Sequence, residues 1–428
     1  MDNSIQKIHF MGIGGSGMSG IARLADKMGY HVTGCDLEGS TAYADNIFKG
    51  HDVKHLDGAD LLVVTPAVFY QNAKNSELVE GQKRKIAITW QEFLGKYLAK
   101  GKKMICVAGT HGKSTTTAMV GKLLADAALD PMVIVGATVH EWDGNSRYGN
   151  GEYFVVEADE FNNNFLNYSP EIIILNNIEF DHPDFFKSEK EVFESFKKFV
   201  GRLTGMKILI VNGDSEGINK LLGSIDDKSD LRIIKYSQKS QKLGFNLAIS
   251  GKHNISNALG VVALGKLLGI DESVIRKSFS TFGGIGRRME LIADKKGIKV
   301  YDDYAHHPTA IAATLEGLRG LYPNAKIWVI DEPHGYARTA KLLDNYKNAF
   351  KDADKVLIGP IFQARDQKTF GMTPQIVAEK SHHPDAKGYN SFEEIKSIIK
   401  KEINSGDVIL VMGAGKSYLW AREVTKLI

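Results

Sequence analysis

The chain has 428 residues, 43% of them hydrophobic and 25% charged, and its 54 Lys and Arg residues nearly balance its 51 Asp and Glu residues. This composition indicates a folded protein of roughly two to four domains, and the net charge of +3 argues against a nucleic-acid or membrane partner. Apolar runs too short to span a bilayer, and a start (Met1–Ser4) without a basic region, predict a cytoplasmic protein with no signal peptide.

A glycine cluster follows the first predicted strand. The apolar run Ile8–Met11 leads into Gly12–Gly17, and a helical pattern begins at Met18. Glycines between a strand and a helix let the backbone approach an anion, and the N-terminus of the helix supplies N–H groups and a favourable dipole. Asp36 ends the next strand-like run, where it is placed to hydrogen-bond a ribose hydroxyl. The pattern predicts a Rossmann-like domain, with NAD, another nucleotide or a purely structural turn as open interpretations.

A second strand, Met104–Ala108, opens into Gly109–Ser114 and then a helix over Thr115–Leu129. Its Gly-Lys-Ser sequence is typical of a phosphate-binding loop, in which backbone N–H groups and the lysine hold phosphates and the Ser114 hydroxyl can ligate Mg²⁺. The usual motif has its first glycine where this chain has Val107. We therefore predict an ATP site built on a compressed variant of the loop.

Polar side chains also follow two later strands. Tyr153–Glu157 ends in a carboxylate, with Asp159 and Glu160 close behind, and Ile172–Leu175 is followed by a polar stretch that reaches His182. A carboxylate at a strand end beside a phosphate loop is where Mg²⁺ is expected. The alternatives are a solvated acidic turn and, for His182, a helix cap.

The repeated pattern of strand, turn and helix predicts an α/β protein with parallel sheets. We expect a Rossmann-like N-terminal domain at 1–98, a central P-loop ATPase-like domain at 99–285 and a Rossmann-like C-terminal domain at 286–428. Segment 223–250 is polar and is predicted to be loop and short strands. Further strands are predicted at Leu61–Val64, Ile208–Val211, Lys299–Tyr301, Ile327–Ile330, Val356–Ile358 and Val408–Met412.

Taken together, the motifs resemble those of the Mur ligases, ATP-dependent amide-forming enzymes of peptidoglycan synthesis. The resemblance implies that the first glycine cluster holds the UDP of a sugar substrate rather than NAD. It runs along nearly the whole chain. The matching stretches are His9–Met18, Gly109–Thr117, Glu157–Glu160, Asp181–His182, His253–Ala258, Arg287–Arg288 and Asp302–Thr309.

The resemblance also implies roles for individual residues. The residues implied to bind the UDP-sugar are Gly14, Gly15, Ser16, Gly17 and Asp36. Those implied to bind ATP are Gly109, Thr110, His111, Gly112, Lys113, Ser114, Thr115, Asn254, Arg288 and Asp302 (or its neighbour Asp303). The implied Mg²⁺ ligands are Ser114, Glu157 and His182. The implied catalytic residues are Lys113, Glu157, His182, His306 and His307, with one of the histidines as the base that deprotonates the amine.

The implied reaction joins an amine to the lactyl carboxylate of UDP-N-acetylmuramate through an acyl phosphate. Pro333–Thr339 favours the branch of the family that adds L-alanine, whereas Asn176–Asp184 and Tyr304–Ile311 favour the branch that adds a peptide during murein recycling. The amine therefore stays open between L-alanine and a peptide, and the oligomeric state between monomer and homodimer. The opposing hypotheses are a nucleotide-binding protein that has lost ligation and a Rossmann oxidoreductase.

The remaining motifs are interpreted structurally. Two cysteines, Cys35 and Cys106, are too few for a disulfide scaffold or a four-cysteine zinc site, and we interpret them as buried apolar thiols. Gly413–Lys416 is interpreted as a strand-to-helix turn and Lys197–Lys198 as solvated helix charges. Arg338, in the stretch that resembles the L-alanine branch, is either functional or a surface helix cap.

Overall fold

The computed structural model describes residues 5–37, 47–66, 68–69, 72–183, 185–225 and 230–428. Met1–Ser4 and Asp184, which the sequence analysis used, lie outside these residues, as does the side chain of Ser16. The chain divides into two compact units. The first comprises Met1–Ile178, Phe193–Gln241 and Gly260–Phe279, and the second comprises Glu179–Val192, Lys242–Leu259 and Ser280–Ile428.

The first unit holds two sheets among its described residues. One is wholly parallel, with the strand order β3-β2-β1-β4-β5. Its central strands carry runs of apolar residues that are buried on both faces, as parallel sheets require. These strands are β1 (Lys7–Met11), β2 (His31–Asp36), β3 (Ile47–Lys49), β4 (Leu61–Val64) and β5 (Ala87–Thr89).

The other sheet of this unit has the order β12-β11-β10-β6-β9-β7-β8 and is parallel except for the edge pair β7–β8. Strand β6 has β10 on one side and β9 on the other. The carboxyl ends of three strands therefore meet at one edge. The strands are β6 (Lys103–Ala108), β7 (Met132–Val139), β8 (Gly144–Arg147), β9 (Tyr153–Glu157), β10 (Ile172–Leu175), β11 (Ile208–Asn212) and β12 (Arg232–Tyr236).

The second unit holds a sheet of order β13-β14-β18-β15-β16-β17, parallel except for β13–β14. Alternate residues of its central strands enter two separate cores: Val329 and Leu410 pack in one, Trp328 and Ile409 in the other. The strands are β13 (Glu290–Lys295), β14 (Ile298–Asp303), β15 (Ile327–Glu332), β16 (Lys355–Ile358), β17 (Ala386–Gly388) and β18 (Val408–Gly413).

Helices connect the strands. The α-helices among the described residues are Ser16–Lys27, Ser76–Lys83, Trp90–Phe93, Lys113–Asp126, Glu189–Val200, Glu216–Gly223, Lys252–Leu267, Glu272–Ser280, Pro308–Leu321, Tyr336–Lys341, Pro374–Lys380, Phe392–Glu402 and Ser417–Leu427. Shorter turns of 3₁₀ type lie at Val53–Leu56, His140–Trp142, Phe161–Asn167 and Leu343–Tyr346, and a π-helical turn lies at Leu94–Leu98. Within the described ranges, no helix has both the length and the apolar character that crossing a membrane requires.

The predicted α/β class is confirmed, and several strands lie close to their predicted positions. The strand predicted at Lys299–Tyr301 extends through Asp303, so both aspartates belong to the strand end rather than to a loop. Gly413 ends β18 and the next helix begins at Ser417, which confirms the strand-to-helix turn. The limits proposed between the three domains remain predictions.

Candidate functional site

The phosphate loop joins β6 to the helix Lys113–Asp126 in the first unit. Gly109 has φ +138°, and a Cβ there would lie 3.0 Å from the Asn177 carbonyl oxygen. Gly112, which precedes the helix, has φ +79°. The positive φ disfavours a side chain at both positions, and at Gly109 the nearby Asn177 backbone also leaves no room for one. The loop therefore turns tightly, with the N-terminus of the helix at its end.

Lys113 is held by the loop that precedes it and by an acidic residue. Its ammonium donates to the Gly109 carbonyl and to Glu160 Oε2, each at 2.7 Å, and lies 4.0 Å from Asp159. Burial opposes the charged form, but the Glu160 and Asp159 carboxylates outweigh it and hold the pKa of Lys113 above its usual value. Lys113 is thus a fixed positive charge at the start of the helix.

Two asparagines that follow β10 clamp the loop. Asn177 Oδ1 accepts from the His111 backbone N–H at 2.8 Å, and its Nδ2 donates to the His111 carbonyl at 3.2 Å. Asn176 Nδ2 donates to Thr116 Oγ at 3.0 Å. Neither asparagine is among the residues predicted from the sequence to form the site. Their signal was present, since they directly follow a buried strand, but their contact with the loop depends on β10 lying beside β6.

An oxygen-rich pair lies next to the loop. Ser114 Oγ donates to Glu157 Oε1 at 2.8 Å, and the Gly136 backbone N–H donates to Glu157 Oε2 at 2.5 Å. Glu157 ends β9, which pairs with β6. Hydroxyl and carboxylate oxygens are the ligands that Mg²⁺ takes from proteins. Ser114 and Glu157 therefore fit the predicted metal in donor type and in their distance from each other.

The glycine cluster after β1 forms the other predicted site of the first unit. Gly12 has φ +80°, and the helix begins at Ser16. Asp36 Oδ2 accepts a hydrogen bond from the Gly14 backbone N–H at 3.0 Å. Asp36 and the turn are thus side by side, as the sequence predicts. That Asp36 contacts a ribose, and that Gly14, Gly15, Ser16 and Gly17 contact a diphosphate, remain predictions.

In the second unit, Asp181 collects three hydrogen bonds on one oxygen. Arg338 Nε and Nη2 donate to Asp181 Oδ1 at 2.8 and 2.6 Å, and the His182 backbone N–H donates to it at 2.7 Å. Burial opposes ionisation of Asp181, but the charges of His182 and Arg338 hold its pKa well below the usual value. Arg338 Nη2 also lies 3.3 Å from His182 Nδ1. Arg338 is therefore a largely buried ion-pair partner rather than a surface helix cap.

The two consecutive histidines differ in environment. His306 Nδ1 lies 2.9 Å from the Tyr304 carbonyl. Burial, together with the charge of Arg338, holds the pKa of His306 well below its usual value. His307 precedes the helix Pro308–Leu321, and its Nδ1 accepts from the Thr309 backbone N–H at 3.3 Å. His306 is neutral at physiological pH, and His307 acts locally as a helix cap.

Arg287, which precedes β13, and Asp302, near the carboxyl end of β14, form an ion pair at 3.3 Å. Burial is the main cause that raises the pKa of Asp302 to about 6. Arg288, predicted to reach ATP, stacks over the Tyr304 ring at 5.0 Å. Asp303 accepts from the backbone N–H groups of residues 289 and 305, each at 2.7 Å, and so has a structural role.

Asn254 and His253 lie at the start of the helix Lys252–Leu267. Asn254 Nδ2 donates to the Ser250 carbonyl at 2.6 Å. Burial lowers the pKa of His253, so its imidazole is neutral. The contact of Asn254 with adenine remains a prediction.

Three family models match successive parts of the chain. They describe the Mur ligase family catalytic domain (residues 7–102), the Mur ligase middle domain (residues 107–265) and the Mur ligase glutamate ligase domain (residues 287–415). A curated UDP-N-acetylmuramate–L-alanine ligase of Bartonella bacilliformis is 33% identical to the chain, over 99% of this chain and 96% of the relative. The chain belongs to the Mur ligase family.

Two solved Mur ligase structures are similar to it along nearly the whole chain. The UDP-N-acetylmuramate–alanine ligase of Thermotoga maritima has a TM-score of 0.77 and 26% identity, and the comparison covers 98% of each chain. A murein peptide ligase of Psychrobacter arcticus has a TM-score of 0.69 and 25% identity, and the comparison covers 99% of this chain and 98% of the other. The predicted resemblance and the three-part α/β architecture with an ATP-binding central domain are therefore confirmed, and ATP dependence belongs to the family.

The prediction for Cys35 was wrong in part. Cys106 is a buried thiol within β6, as expected. Cys35 is also buried, but its Sγ lies 3.2 Å from His51 Nδ1 and 3.3 Å from Glu77 Oε2. The prediction rested on how cysteines usually pack. The polar groups around Cys35 come from segments distant in sequence, so the local pattern held no sign of them.

Proposed function

We propose that this Mur ligase family member joins L-alanine to the lactyl carboxylate of UDP-N-acetylmuramate with ATP, in peptidoglycan synthesis. The observation that carries the proposal is the similarity, along almost the whole chain, to relatives named UDP-N-acetylmuramate–L-alanine ligase. The phosphate loop, with Lys113 held beside it, supports the use of ATP. We expect the reaction in the cytoplasm.

The chemistry requires activation of the carboxylate, because its oxygen is a poor leaving group. A carboxylate oxygen attacks the γ-phosphorus of ATP, ADP leaves, and an acyl phosphate forms. The neutral amine then attacks the acyl carbon, and phosphate departs with the former carboxylate oxygen as the amide forms. Phosphoryl transfer of this kind depends mainly on alignment and on neutralising charge.

The residues of the loop are suited to that task. Lys113 places a positive charge beside the N-terminus of a helix, and its N–H groups can turn from the Gly109 carbonyl to phosphate oxygens. Asn177 holds the loop backbone in position from the neighbouring strand. Ser114 and Glu157 would hold Mg²⁺, with His182 as the further ligand that the family resemblance implies. Bound there, Mg²⁺ neutralises charge on the phosphates.

The amine must lose a proton before it attacks, and His306 is the best candidate base. A backbone carbonyl only accepts hydrogen bonds, so the contact with the Tyr304 carbonyl places the proton of His306 on Nδ1. Nε2 then carries the lone pair that can accept a proton from the amine. His307 uses Nδ1 to cap a helix, and His182 Nδ1 faces the Arg338 guanidinium. Both are therefore less suited to the role.

The second candidate amine is a tripeptide, as in murein recycling. It is favoured by the structural similarity of the chain to a murein peptide ligase, with a TM-score of 0.69 against 0.77 for the alanine ligase. Both candidates share the sugar substrate, the ATP site and the acyl phosphate. They differ only in the amine.

Phosphate release tests the proposal. It should require ATP, UDP-N-acetylmuramate and an amine together, and L-alanine should give the highest kcat/KM in a panel with L-serine, glycine and the tripeptide. Lys113→Ala should abolish release while leaving UDP-sugar binding intact, because the glycine turn belongs to a different sheet. Preference for the tripeptide would replace the leading candidate with the second, and absence of release with every amine would reject ligation.

A further inference from the structure

A cluster of metal-ligating side chains lies in the first sheet and plays no part in the ligase chemistry described above. We call His9, Cys35, His51, His55 and Glu77 the histidine–cysteine cluster. Donor atoms of His9, Cys35, His55 and Glu77 all lie within 4.8 Å of one another. The members come from β1, β2, the turn after β3 and the helix Ser76–Lys83.

The distances within the cluster are slightly shorter than those between two ligands of one metal ion. His9 Nε2 lies 2.9 Å from Glu77 Oε1, and Cys35 Sγ lies 3.3 Å from Glu77 Oε2. His51 Nδ1 lies 3.2 Å from both Cys35 Sγ and Glu77 Oε2. In a tetrahedral zinc site with bonds of about 2.0 to 2.3 Å, ligand atoms lie about 3.3 to 3.8 Å apart. Small side-chain rotations would therefore bring these atoms to coordination geometry.

Three of the five members of the cluster are fully buried, and a metal-ligating nitrogen of one of them lacks a partner with hydrogen-bond geometry in the described part of the chain. His9, Cys35 and Glu77 have no exposed surface. His9 Nε2 is close to Glu77, but among the described residues no group meets it with hydrogen-bond geometry. A buried imidazole nitrogen in this condition is costly unless another interaction satisfies it. Nε2 of His9 faces the Glu77 carboxylate, another member of the cluster.

The outer contacts orient the two imidazoles. His9 Nδ1 lies 2.8 Å from Thr33 Oγ, which leaves Nε2 as the nitrogen that faces the cluster. Such a hydrogen bond on the second ring nitrogen is usual for metal-binding histidines. The His55 ring stacks on Phe48, with ring centres 4.5 Å apart. The side chains of His51 and His55 are 17% and 12% exposed, which gives an ion a route in from solvent.

We propose that His9, Cys35 and Glu77, with an imidazole of His51 or His55, form a structural site for a transition-metal ion, Zn²⁺ being the best match. Thiolate and imidazole ligands select Zn²⁺ over Mg²⁺, which takes oxygen ligands. Binding releases the Cys35 thiol proton to solvent. The ion would link both central strands to the helix that flanks them, at the edge of the sheet where Asp36 and the glycine turn lie. This site is independent of the proposed ligase activity.

Co²⁺ is the probe, because a thiolate bound to it gives a charge-transfer absorption band. The full chain, with any affinity tag removed and with Mg²⁺ in excess, is titrated with Co²⁺ and then with Zn²⁺. The unmodified protein should bind Co²⁺ stoichiometrically, show the thiolate band and lose it when Zn²⁺ displaces the Co²⁺. Cys35→Ala should lose the band and bind Co²⁺ at least about tenfold more weakly.

The matched control is Cys106→Ala, which removes the other buried thiol of the same unit and should keep the band. His9→Gln, a second variant, should weaken Co²⁺ binding while the thiol remains. Thermal unfolding adds a readout that does not require Cys35→Ala to be well folded, since Zn²⁺ should raise the midpoint of the unmodified protein and of Cys106→Ala. No stoichiometric Co²⁺ binding by the unmodified protein, or an unchanged band in Cys35→Ala, would overturn the proposal.

Discussion

The ion pair between Lys113 and Glu160 gives the sharpest prediction for the central sheet. Their side chains are 13% and 2% exposed and meet at 2.7 Å. Lys113→Met removes the ammonium that pairs with the buried Glu160 carboxylate, which should cost about 3 to 5 kcal/mol of unfolding free energy. Glu160→Gln keeps the shape of the side chain, and Lys113 keeps the Gly109 carbonyl, so the cost should be about 1.5 to 3 kcal/mol.

The double variant removes both charges and should therefore cost about 2 kcal/mol less than the sum of the single variants. Urea unfolding of the nucleotide-free protein measures this difference. The transition to analyse is identified in a separate experiment, as the one that a non-hydrolysable ATP analogue shifts. The control pair Lys220 and Glu216 is also 2.7 Å apart but 67% and 82% exposed, and solvent screening should leave its coupling far below that of the buried pair. Additivity of the buried pair to within about 0.5 kcal/mol would refute the reasoning.

Three further predictions concern single residues. Asn177→Ala should raise the KM for ATP about tenfold and leave the KM for the UDP-sugar unchanged. The amide holds the phosphate loop through one strong hydrogen bond, whose loss costs about 1.5 kcal/mol. Equal changes in both KM values would contradict this role. Burial raises the pKa of Asp302 from 3.8 to about 6, so the folded protein holds the Asp302 proton more tightly than the unfolded chain does. The stability gained from this proton is complete below about pH 4 and is lost as the pH rises to about 6. Asp302→Asn should therefore flatten the fall in thermal midpoint over that range, and an unchanged slope would refute the assignment. Arg338→Ala removes the guanidinium that donates two hydrogen bonds to the buried Asp181 carboxylate, and it should cost about 3 kcal/mol in urea unfolding. Arg276→Ala, which breaks an exposed pair, should cost under about 1 kcal/mol. Similar costs would show that burial of the pair is not decisive.

Local motifs were sufficient to predict the elements that present the phosphate loop. A buried strand, two glycines and a lysine at the start of a helix are adjacent in sequence, and their geometry follows from backbone sterics. The pairing of Ser114 with Glu157 was also anticipated, because strand ends of a parallel sheet converge. The structure agrees with this part of the prediction to within a few residues at each end of the strand and helix.

Contacts between distant segments were not predictable in the same way. Glu160 was noticed as one of three carboxylates, but its partnership with Lys113 depends on β9 lying beside β6. Asp181 and Arg338 are 157 residues apart, and their pairing follows from tertiary packing in the second unit. The histidine–cysteine cluster unites four chain segments, each unremarkable in isolation. Sequence periodicity reports which side chains are buried, but it does not report which buried groups meet.

The fate of the carboxylate oxygens tests the central claim most directly. UDP-N-acetylmuramate labelled with heavy oxygen in its lactyl carboxylate is incubated with ATP, L-alanine and the protein, and the products are weighed by mass spectrometry. Activation as an acyl phosphate predicts one labelled oxygen in the released phosphate. The amide product should keep the other labelled oxygen, so its mass should equal that of the labelled substrate plus L-alanine minus one water that carries the label. Unlabelled phosphate, with or without amide formation, would contradict the account.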